Sequence, residues 1–222
     1  MCGRFDIHSA IEIISRIFQV DVVAADIRPS YNIAPSQNIG IIVNDGGQNL
    51  LISGRWGFLP FWAKEKQTAY SMIIARAETV DSNRSYKDAL THHRCLIPAD
   101  GFYEWLKQDK LKIPYYTRLK TKNPMGFAGL YNTWKSPEGE EIQTCTIITT
   151  DANSLMASIH NRMPVILHEG DFKLWLDPSE HGKDVLRPLL KPFPSEELET
   201  YRVTPKVNSV KYNHPDNIEP IP

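Results

Sequence analysis

The stretch NIGIIVNDGGQNLLISGRW, residues 38–56, predicts a β-hairpin, and this hairpin indicates the class of the fold. Its arms, 38–43 and 50–56, are rich in β-branched and other apolar residues. The segment Asn-Asp-Gly-Gly at 44–47 has the composition of a tight turn. Similar apolar runs predict further strands at Met72–Ala75, Arg94–Ile97, Tyr115–Leu119, Gly126–Tyr131, Cys145–Thr149 and Val165–Leu167.

Helical patterns are fewer. Ser9–Val20 has apolar residues at helical spacing, with Ser9 as the predicted N-cap. Further helices are predicted at Ser154–Ser158, Gly170–Leu176 and Lys183–Leu190. The proline-rich stretch 205–222 is predicted to be an extended segment packed on the domain. We therefore expect an α+β fold: a single domain over residues 1–222 with a curved, barrel-like mixed β-sheet core and peripheral helices.

The composition excludes several classes of protein. The 25 lysines and arginines against 26 aspartates and glutamates exclude a histone-like, wholly electrostatic nucleic-acid binder, but not a local basic groove. No apolar run approaches the ~20 residues that span a bilayer, so a soluble, cytoplasmic protein is expected. The three cysteines, Cys2, Cys95 and Cys145, are odd in number and lack CxxC spacing. Neither a disulfide framework nor a zinc ribbon is predicted, and no metal or cofactor is expected.

Cys2 has the most distinctive chemistry. Because cysteine is small, a methionine aminopeptidase can remove Met1 and leave Cys2 with a free α-amine beside its thiol. These groups ordinarily titrate near ~7.7–8.0 and ~8.5, so both are partly nucleophilic at neutral pH. Such a 1,2-aminothiol can attack an acyl carbonyl, or condense with an aldehyde and close a thiazolidine ring. The alternative is an inert cysteine at an untethered terminus.

Further polar residues are candidates for acid–base or anion-binding roles. Glu104 lies among aromatic residues; desolvation there would raise its pKa and suit it to proton transfer, whereas the alternative is a surface glutamate on a strand. His160, at a predicted break between helix and loop, suits an acid–base role or a phosphate contact, with a structural histidine as the alternative. Arg4 is a fixed cation for a phosphate or carboxylate, or else a solvated surface charge. Asp100 is predicted to be a turn residue.

The stretch RWGFLPFWAK, residues 55–64, interleaves aromatic rings with cations in a way that suits single-stranded nucleic acid. Arg76 is a further candidate for a phosphate contact. The alternative for most of the rings is the hydrophobic core, which we expect to include Trp56 or Phe58.

Ordered motifs extend over nearly the whole chain. They are MCGRF at 1–5, SYNIAPSQ at 30–37, RWG at 55–57, ARAET at 75–79, CLIPADGFYEW at 95–105, FAGLY at 127–131, IHNRMP at 159–164 and VN at 207–208. On these motifs the chain resembles the SRAP family (SOS-response-associated peptidase domain), proteins that shield abasic sites in DNA by crosslinking to them. The resemblance implies a mixed α/β domain with a barrel-like sheet, in agreement with the prediction above.

The resemblance also assigns roles to residues. It implies that the α-amine and thiol of Cys2 capture the abasic-site aldehyde, that Glu104 transfers protons during the condensation, and that His160 handles protons at the sugar. The residues implied to hold or brace DNA are Arg4, Asn32, Pro35, Trp62, Arg76 and Arg162. The implied partner is single-stranded DNA with abasic sites, junctions with duplex included. A monomer acting on bacterial chromosomal DNA is expected.

One position departs from the family's pattern. Ile74 stands where the motif usually has asparagine before Ala-Arg. Since isoleucine has neither donor nor acceptor, a hydrogen bond of about 0.5–1.5 kcal/mol is absent. Crosslinking is expected to survive but to be slower or less well positioned.

Two other functions compete with this one. An N-terminal-nucleophile cysteine peptidase or autoprotease would use the same Cys2, Glu104 and His160. A non-catalytic single-strand binding module would bind in a salt-sensitive way and would not depend on Cys2. Strand cleavage by a lyase side reaction is also conceivable, because Glu104 would lie near the Schiff base.

Overall fold

The computed structural model describes residues 3–136, 138–180 and 182–221, so Cys2 lies outside the described residues. The strands are β1 Phe5–Ile7, β2 Val22–Val23, β3 Ser30–Ile33, β4 Asn38–Asp45, β5 Gln48–Trp56, β6 Ile74–Arg76, β7 Arg94–Ala99, β8 Gly101–Gln108, β9 Leu111–Leu119, β10 Met125–Lys135, β11 Glu141–Asp151, β12 Arg162–Pro164, β13 Ile166–Leu167 and β14 Leu198–Arg202. The α-helices are α1 Ile11–Ile17, α2 Lys87–His92, α3 Phe172–Leu176 and α4 Lys183–Leu186. Short 3-10 helices cover Lys66–Ser71, Met156–Ser158, Glu169–Asp171, Arg187–Leu189, Ser195–Glu197, Pro205–Asn208 and Pro215–Ile218.

The predicted hairpin is the pair β4–β5. Its strands are antiparallel, and Asp45 lies opposite Gln48 at the turn. The two residues between them, Gly46 and Gly47, have φ values of 58° and 87°. Glycine adopts this left-handed region without the steric penalty of a Cβ, so the turn follows from the local sequence.

The strands β4, β5, β7, β10 and β11 form a closed barrel. Antiparallel pairings run from β5 through β4, β7 and β10 to β11. A parallel pairing then closes the ring, with Thr144 of β11 opposite Arg55 of β5 and Cys145 opposite Trp56. Closure leaves these strands without open edges. The expected single domain with a barrel-like mixed sheet is confirmed.

Large aromatic side chains link strand β1 to the barrel core. The ring of Phe5 lies 5.2 Å from that of Trp56 and 5.9 Å from that of Phe127, centre to centre. Trp56 and Phe58 are buried, as the sequence predicts. Full burial of one such side chain stabilises a fold by roughly 1.5–3 kcal/mol. The packing of Phe5 therefore fixes the position of the chain immediately after Arg4.

A second sheet carries the residues of interest beside the barrel. Its order is β14-β9-β8-β1-β3, and every pairing is antiparallel. Phe5 of β1 lies opposite Phe102 of β8, and the N–H of Tyr103 donates to the Arg4 carbonyl at 3.0 Å. This pairing places Arg4 next to the β8 segment that contains Glu104.

The start of the first helix differs from the prediction. Helix α1 covers Ile11–Ile17, and its N-cap residue is Ala10, which makes no side-chain cap. The Ser9 hydroxyl instead donates to Asp100. Asp100 lies between β7 and β8, as a turn residue would, and its carboxylate accepts the N–H groups of His8 and Ser9 at 2.6 and 2.8 Å. Ser9 therefore binds a carboxylate that is distant in the sequence, and the residues next to Ser9 do not predict this contact.

The prolines of the segment 205–221 predict an extended conformation, but the segment is not simply extended. It contains two 3-10 helices, each with proline in its first turn. Proline is tolerated there because the first N–H groups of a helix have no intrahelical acceptor. Val207 and Asn217 are fully buried, so the segment packs on the second sheet. Among the described residues, no helix combines the length and apolarity needed to cross a membrane.

Candidate active site

An open cleft of about 570 Å³ brings together residues from distant parts of the chain. Its described lining consists of Arg4, Glu104, Trp105, Lys107, Lys112, His160 and Asn208. Three of these, Arg4, Glu104 and His160, are candidates predicted from the sequence. The fold thus collects a cation, a carboxyl group and an imidazole on one surface.

Glu104 is the acidic group of this cleft. It lies on β8 opposite Tyr115 of β9 and is only 2% exposed. Burial raises the pKa of its carboxyl above the ordinary value, and the nearby His160 imidazole partly opposes this effect. The alternative of a surface glutamate on a strand is therefore wrong: Glu104 is on a strand but buried. A carboxyl group with a raised pKa exchanges protons at higher pH than a solvated one does.

The orientation of His160 is set by the backbone. The N–H of Arg162 donates to His160 Nδ1 at 3.0 Å. Because a backbone N–H can only donate, Nδ1 is the acceptor and the proton of the neutral ring lies on Nε2. His160 lies between the 3-10 helix Met156–Ser158 and strand β12, so regular secondary structure holds the backbone on both sides of it. It lines the cleft as a half-buried group with one defined tautomer.

Arg4 is held in place by neutral acceptors and an aromatic ring. Its Nη1 donates to Asn32 Oδ1 at 2.7 Å and to the Val207 carbonyl at 2.8 Å. The guanidinium lies 5.7 Å from the centre of the Trp105 ring, and the Trp105 indole N–H donates to Asn208 Oδ1 at 2.7 Å. Partial burial lowers the pKa of Arg4. These contacts position the cation without neutralising it, which leaves its charge for an anion.

Asn32 supports Arg4 from below the surface. Its side chain is 1% exposed, and its amide nitrogen donates to the carbonyls of Ser209 and Tyr212 at 2.9 and 2.7 Å. Asn32 positions Arg4 and connects the segment after Val207 to β3. The role in holding DNA that the resemblance implies for Asn32 stays a prediction.

Arg162 is a paired rather than a free cation. Its guanidinium donates to both carboxylate oxygens of Glu78, at 2.6 and 3.0 Å, and to Asp151 at 2.8 Å. The hydrogen bond from Arg162 lowers the pKa of Glu78. A phosphate contact by Arg162, as implied by the resemblance, would have to compete with these carboxylates. Arg76, opposite Thr149 at the same end of β11, is exposed.

The remaining predicted residues lie on two loops. Trp62 is 40% exposed, and the Arg84 guanidinium lies 5.6 Å from the centre of its ring. Its neighbour Phe61 is 72% exposed. Pro35 is half-buried in the turn after β3, next to Ser36 with a φ of 74°. The exposed Trp62 and Phe61 have the stacking faces predicted from the sequence, whereas Trp56 and Phe58 belong to the core.

Comparison with known proteins identifies the family. The family model described as SOS response associated peptidase (SRAP) matches residues 1–210. The chain belongs to the SRAP family. The resemblance inferred from the ordered motifs is therefore confirmed.

Curated SRAP relatives align along almost the full chain. The abasic site processing protein YoqW of Bacillus subtilis (strain 168) is 48% identical over 222 residues, which cover 99% of each protein. The abasic site processing protein HMCES of Gallus gallus is 33% identical over 87% of this chain and 67% of its own length. A crystal structure of a Bacteroides thetaiotaomicron protein superposes with a TM-score of 0.88 at 29% identity, covering 99% of this chain and 100% of that one.

The SRAP cleft contains residues to which sequence reasoning assigned no role. Trp105 and Asn208 fall within the quoted motifs at 95–105 and 207–208, which was the available signal. Lys107 and Lys112 fall outside every quoted motif, and nothing in their local sequence distinguishes them from other surface lysines.

Two further features of this SRAP chain bear on its chemistry. Cys95 and Cys145 are free, fully buried thiols, and burial raises the pKa of each, so neither is a good nucleophile. One potential ligand atom from each of Asp6, His8 and Asp100 lies within 4.8 Å of the other two, which is the arrangement of a possible metal site. Hydrogen bonding within the group accounts for this proximity, since His8 Nδ1 lies 2.7 Å from Asp6 Oδ2.

Proposed function

We propose that this protein captures abasic sites in single-stranded DNA by forming a covalent thiazolidine between Cys2 and the C1′ aldehyde of the opened sugar. The observation that carries the proposal is the cleft, in which buried Glu104, oriented His160 and positioned Arg4 meet. The names of the bacterial relatives at 46–48% identity, abasic site processing proteins, support the choice of substrate.

The position of Cys2 in the chain supports its role as the nucleophile. Cys2 is two residues before Arg4, so the covalent chain limits the distance between their Cα atoms to about 7 Å. Arg4 lines the cleft beside Glu104. The other two cysteines are buried within the core and have raised thiol pKa values. Of the three cysteines, Cys2 is therefore the one proposed as the nucleophile.

The reaction requires no oxidant or reductant. The α-amine nitrogen of Cys2 attacks the aldehyde carbon, and loss of one water from the carbinolamine gives an imine. The thiol sulfur then attacks the imine carbon, the nitrogen takes up the proton that the thiol loses, and the five-membered ring closes. The product has the mass of protein plus DNA minus one water.

Glu104 and His160 are assigned the proton transfers. In its protonated form, which its raised pKa favours, Glu104 can donate to the departing hydroxyl of the carbinolamine. As a carboxylate it can then accept the thiol proton. His160, with its ring proton on Nε2, can exchange protons with a sugar oxygen during ring opening. A positioned acid–base group of this kind typically contributes a factor of about 10²–10⁴ to a rate.

The DNA strand is assigned to the surface around the cleft. Arg4 and exposed Arg76 supply charge for phosphates, and exposed Trp62, braced by Arg84, supplies a face on which a base can stack. Pro35 braces the strand from its turn. Arg162 contributes if a phosphate replaces Glu78 or Asp151 as its partner.

A cysteine peptidase is the second candidate function. The family description contains the word peptidase, and an N-terminal thiol beside a carboxyl and an imidazole suits acyl transfer. The two functions differ in the electrophile. An aldehyde yields a stable adduct, whereas an acyl carbonyl yields an acyl-enzyme that water hydrolyses.

The deciding experiment uses protein whose N-terminus has been confirmed by mass spectrometry to begin at Cys2. We expect incubation with an abasic single-stranded oligonucleotide to give an adduct that survives heat and SDS and lacks one water relative to the sum of the masses. The undamaged oligonucleotide should give none. Absence of an adduct from the abasic oligonucleotide would reject the proposal, and turnover of a peptide substrate in its place would favour the peptidase.

Ile74 provides a graded test of the site. It lies on β6 and is half-buried, and its side chain shares a face with that of Arg76, two residues on. We expect Ile74→Asn to raise the crosslinking rate by about 2- to 12-fold, the equivalent of one hydrogen bond of about 0.5–1.5 kcal/mol. Ile74→Leu, which adds no polar group, is the matched control. Equal rates for the asparagine and leucine variants would contradict the prediction.

A further inference from the structure

Two lysines face each other across the β8–β9 hairpin. Lys107 of β8 lies directly opposite Lys112 of β9, and both side chains are exposed. Like charges at directly opposed positions destabilise a strand pair. Within the described ranges, neither lysine forms an ion pair that would offset this repulsion. The stability of the hairpin therefore does not explain the pair.

Both lysines belong to the wall of the cleft. They line it together with Arg4, so three cationic side chains border the same opening. Among the described lining residues Glu104 is the one carboxylate, and it is only 2% exposed. The accessible charge of this wall is positive, although the net charge of the whole protein is −1.

The position of the pair indicates where an anion would lie. In β8, Trp105 precedes Lys107 by two residues and so shares its face of the hairpin, and Trp105 lies against Arg4. The lysines thus continue the wall outward from Arg4 toward the hairpin turn at Asp109–Lys110. An anionic chain that enters at Arg4 and follows this face passes over both.

We propose that Lys107 and Lys112 bind the sugar–phosphate backbone of the strand that flanks the captured lesion. The inference deepens the proposed function, on which it rests, by adding a phosphate-binding surface on the β8–β9 side of the cleft. Lysine acts as a flexible point charge and does not impose the planar geometry of arginine, so the contact is independent of base sequence. A phosphate between the two ammonium groups also relieves their mutual repulsion.

The test measures how binding of an undamaged single-stranded oligonucleotide depends on salt. The variant is Lys107→Gln with Lys112→Gln. The matched control is Lys120→Gln with Lys122→Gln, which removes the same charge from exposed positions after the other end of β9. Eight residues of strand separate Lys112 from Lys120, about 26 Å.

Each phosphate contact on a single strand contributes about 0.7 to the slope of log K against log salt. Loss of two contacts should lower the magnitude of the slope by about 1.4. Between 1 M and 0.1 M salt, the affinity of the variant should therefore rise by about 25-fold less than the affinity of the wild type does. The control should keep the wild-type slope. An unchanged slope in the Lys107/Lys112 variant, or an equal fall in the control, overturns the inference.

This readout separates the inference from the function on which it rests. If the wild type forms the abasic-site adduct but the Lys107/Lys112 variant keeps its salt slope, the phosphate surface is rejected and the function stands. If the slope falls as expected but the wild type forms no adduct, the surface stands and the proposed chemistry is rejected.

Discussion

Cys2→Ala should abolish the heat-stable adduct with abasic single-stranded DNA. Alanine keeps the α-amine, so an imine can still form with the aldehyde, but no sulfur remains to close the ring. Borohydride added during the reaction should therefore trap a reduced imine in the variant, while gel electrophoresis without reduction should show no product. The fall in stable adduct is expected to be complete because the second bond of the thiazolidine ring requires the sulfur of Cys2.

A second change to the N-terminus separates the two candidate functions. One additional residue before Cys2, or retention of Met1, leaves the thiol intact but moves the free amine away from it. The aldehyde mechanism then fails as completely as in Cys2→Ala, whereas a peptidase acting through the thiol can tolerate the extension. A stable abasic-site adduct formed by Cys2→Ala would contradict the thiazolidine mechanism outright.

Glu104→Gln should lower the crosslinking rate by about 10²-fold or more, the usual contribution of a positioned acid–base group. Glutamine has nearly the same shape and can keep a hydrogen bond, but it cannot exchange a proton. The rate should be measured with saturating DNA, so that differences in affinity do not enter. Glu12→Gln, an exposed position on α1, is the control and should keep the wild-type rate. A wild-type rate for Glu104→Gln would make Glu104 a structural residue.

The same substitution should stabilise the fold at neutral pH. Because burial raises the pKa of Glu104 in the folded state, the folded protein binds this proton more tightly than the unfolded chain does. Its contribution to stability therefore falls as the pH rises from the unfolded pKa through the raised folded one, and the penalty is complete above the latter. Glutamine removes the penalty.

Thermal unfolding of wild type and Glu104→Gln across pH checks this expectation. The variant should melt higher at pH 7.5, by roughly 2–4 °C for each ~1 kcal/mol of relief in a protein of this size. The difference should shrink as the pH falls toward the unfolded pKa of a glutamate, about 4.3. A slower reaction in a more stable protein cannot be attributed to loss of folding. A variant that melts lower at pH 7.5 would show that the charged carboxylate is stabilising.

Local features of the fold could be predicted because neighbouring residues determine them. The β4–β5 hairpin follows from apolar arms and from Gly46 and Gly47, which adopt positive φ. Short strands such as β1 and β12 have too few residues for a periodic signal, so their partners determine them. The parallel closure of β11 on β5 pairs Cys145 with Trp56, which is 89 positions earlier (145 − 56), and no local pattern encodes such a pairing.

Some features of the candidate site could likewise be predicted from the sequence, and others depend on the tertiary structure. The sequence by itself determined which chemical groups are present: a thiol at Cys2, carboxyl and imidazole groups at Glu104 and His160, and a cation at Arg4. Tertiary structure alone decided that the last three of these share one cleft and that Glu104 is buried with a raised pKa. It also decided that the charge of Arg162 is paired. The physical reason is that burial and electrostatic partners depend on residues brought together by folding, and a side chain's chemistry depends on both.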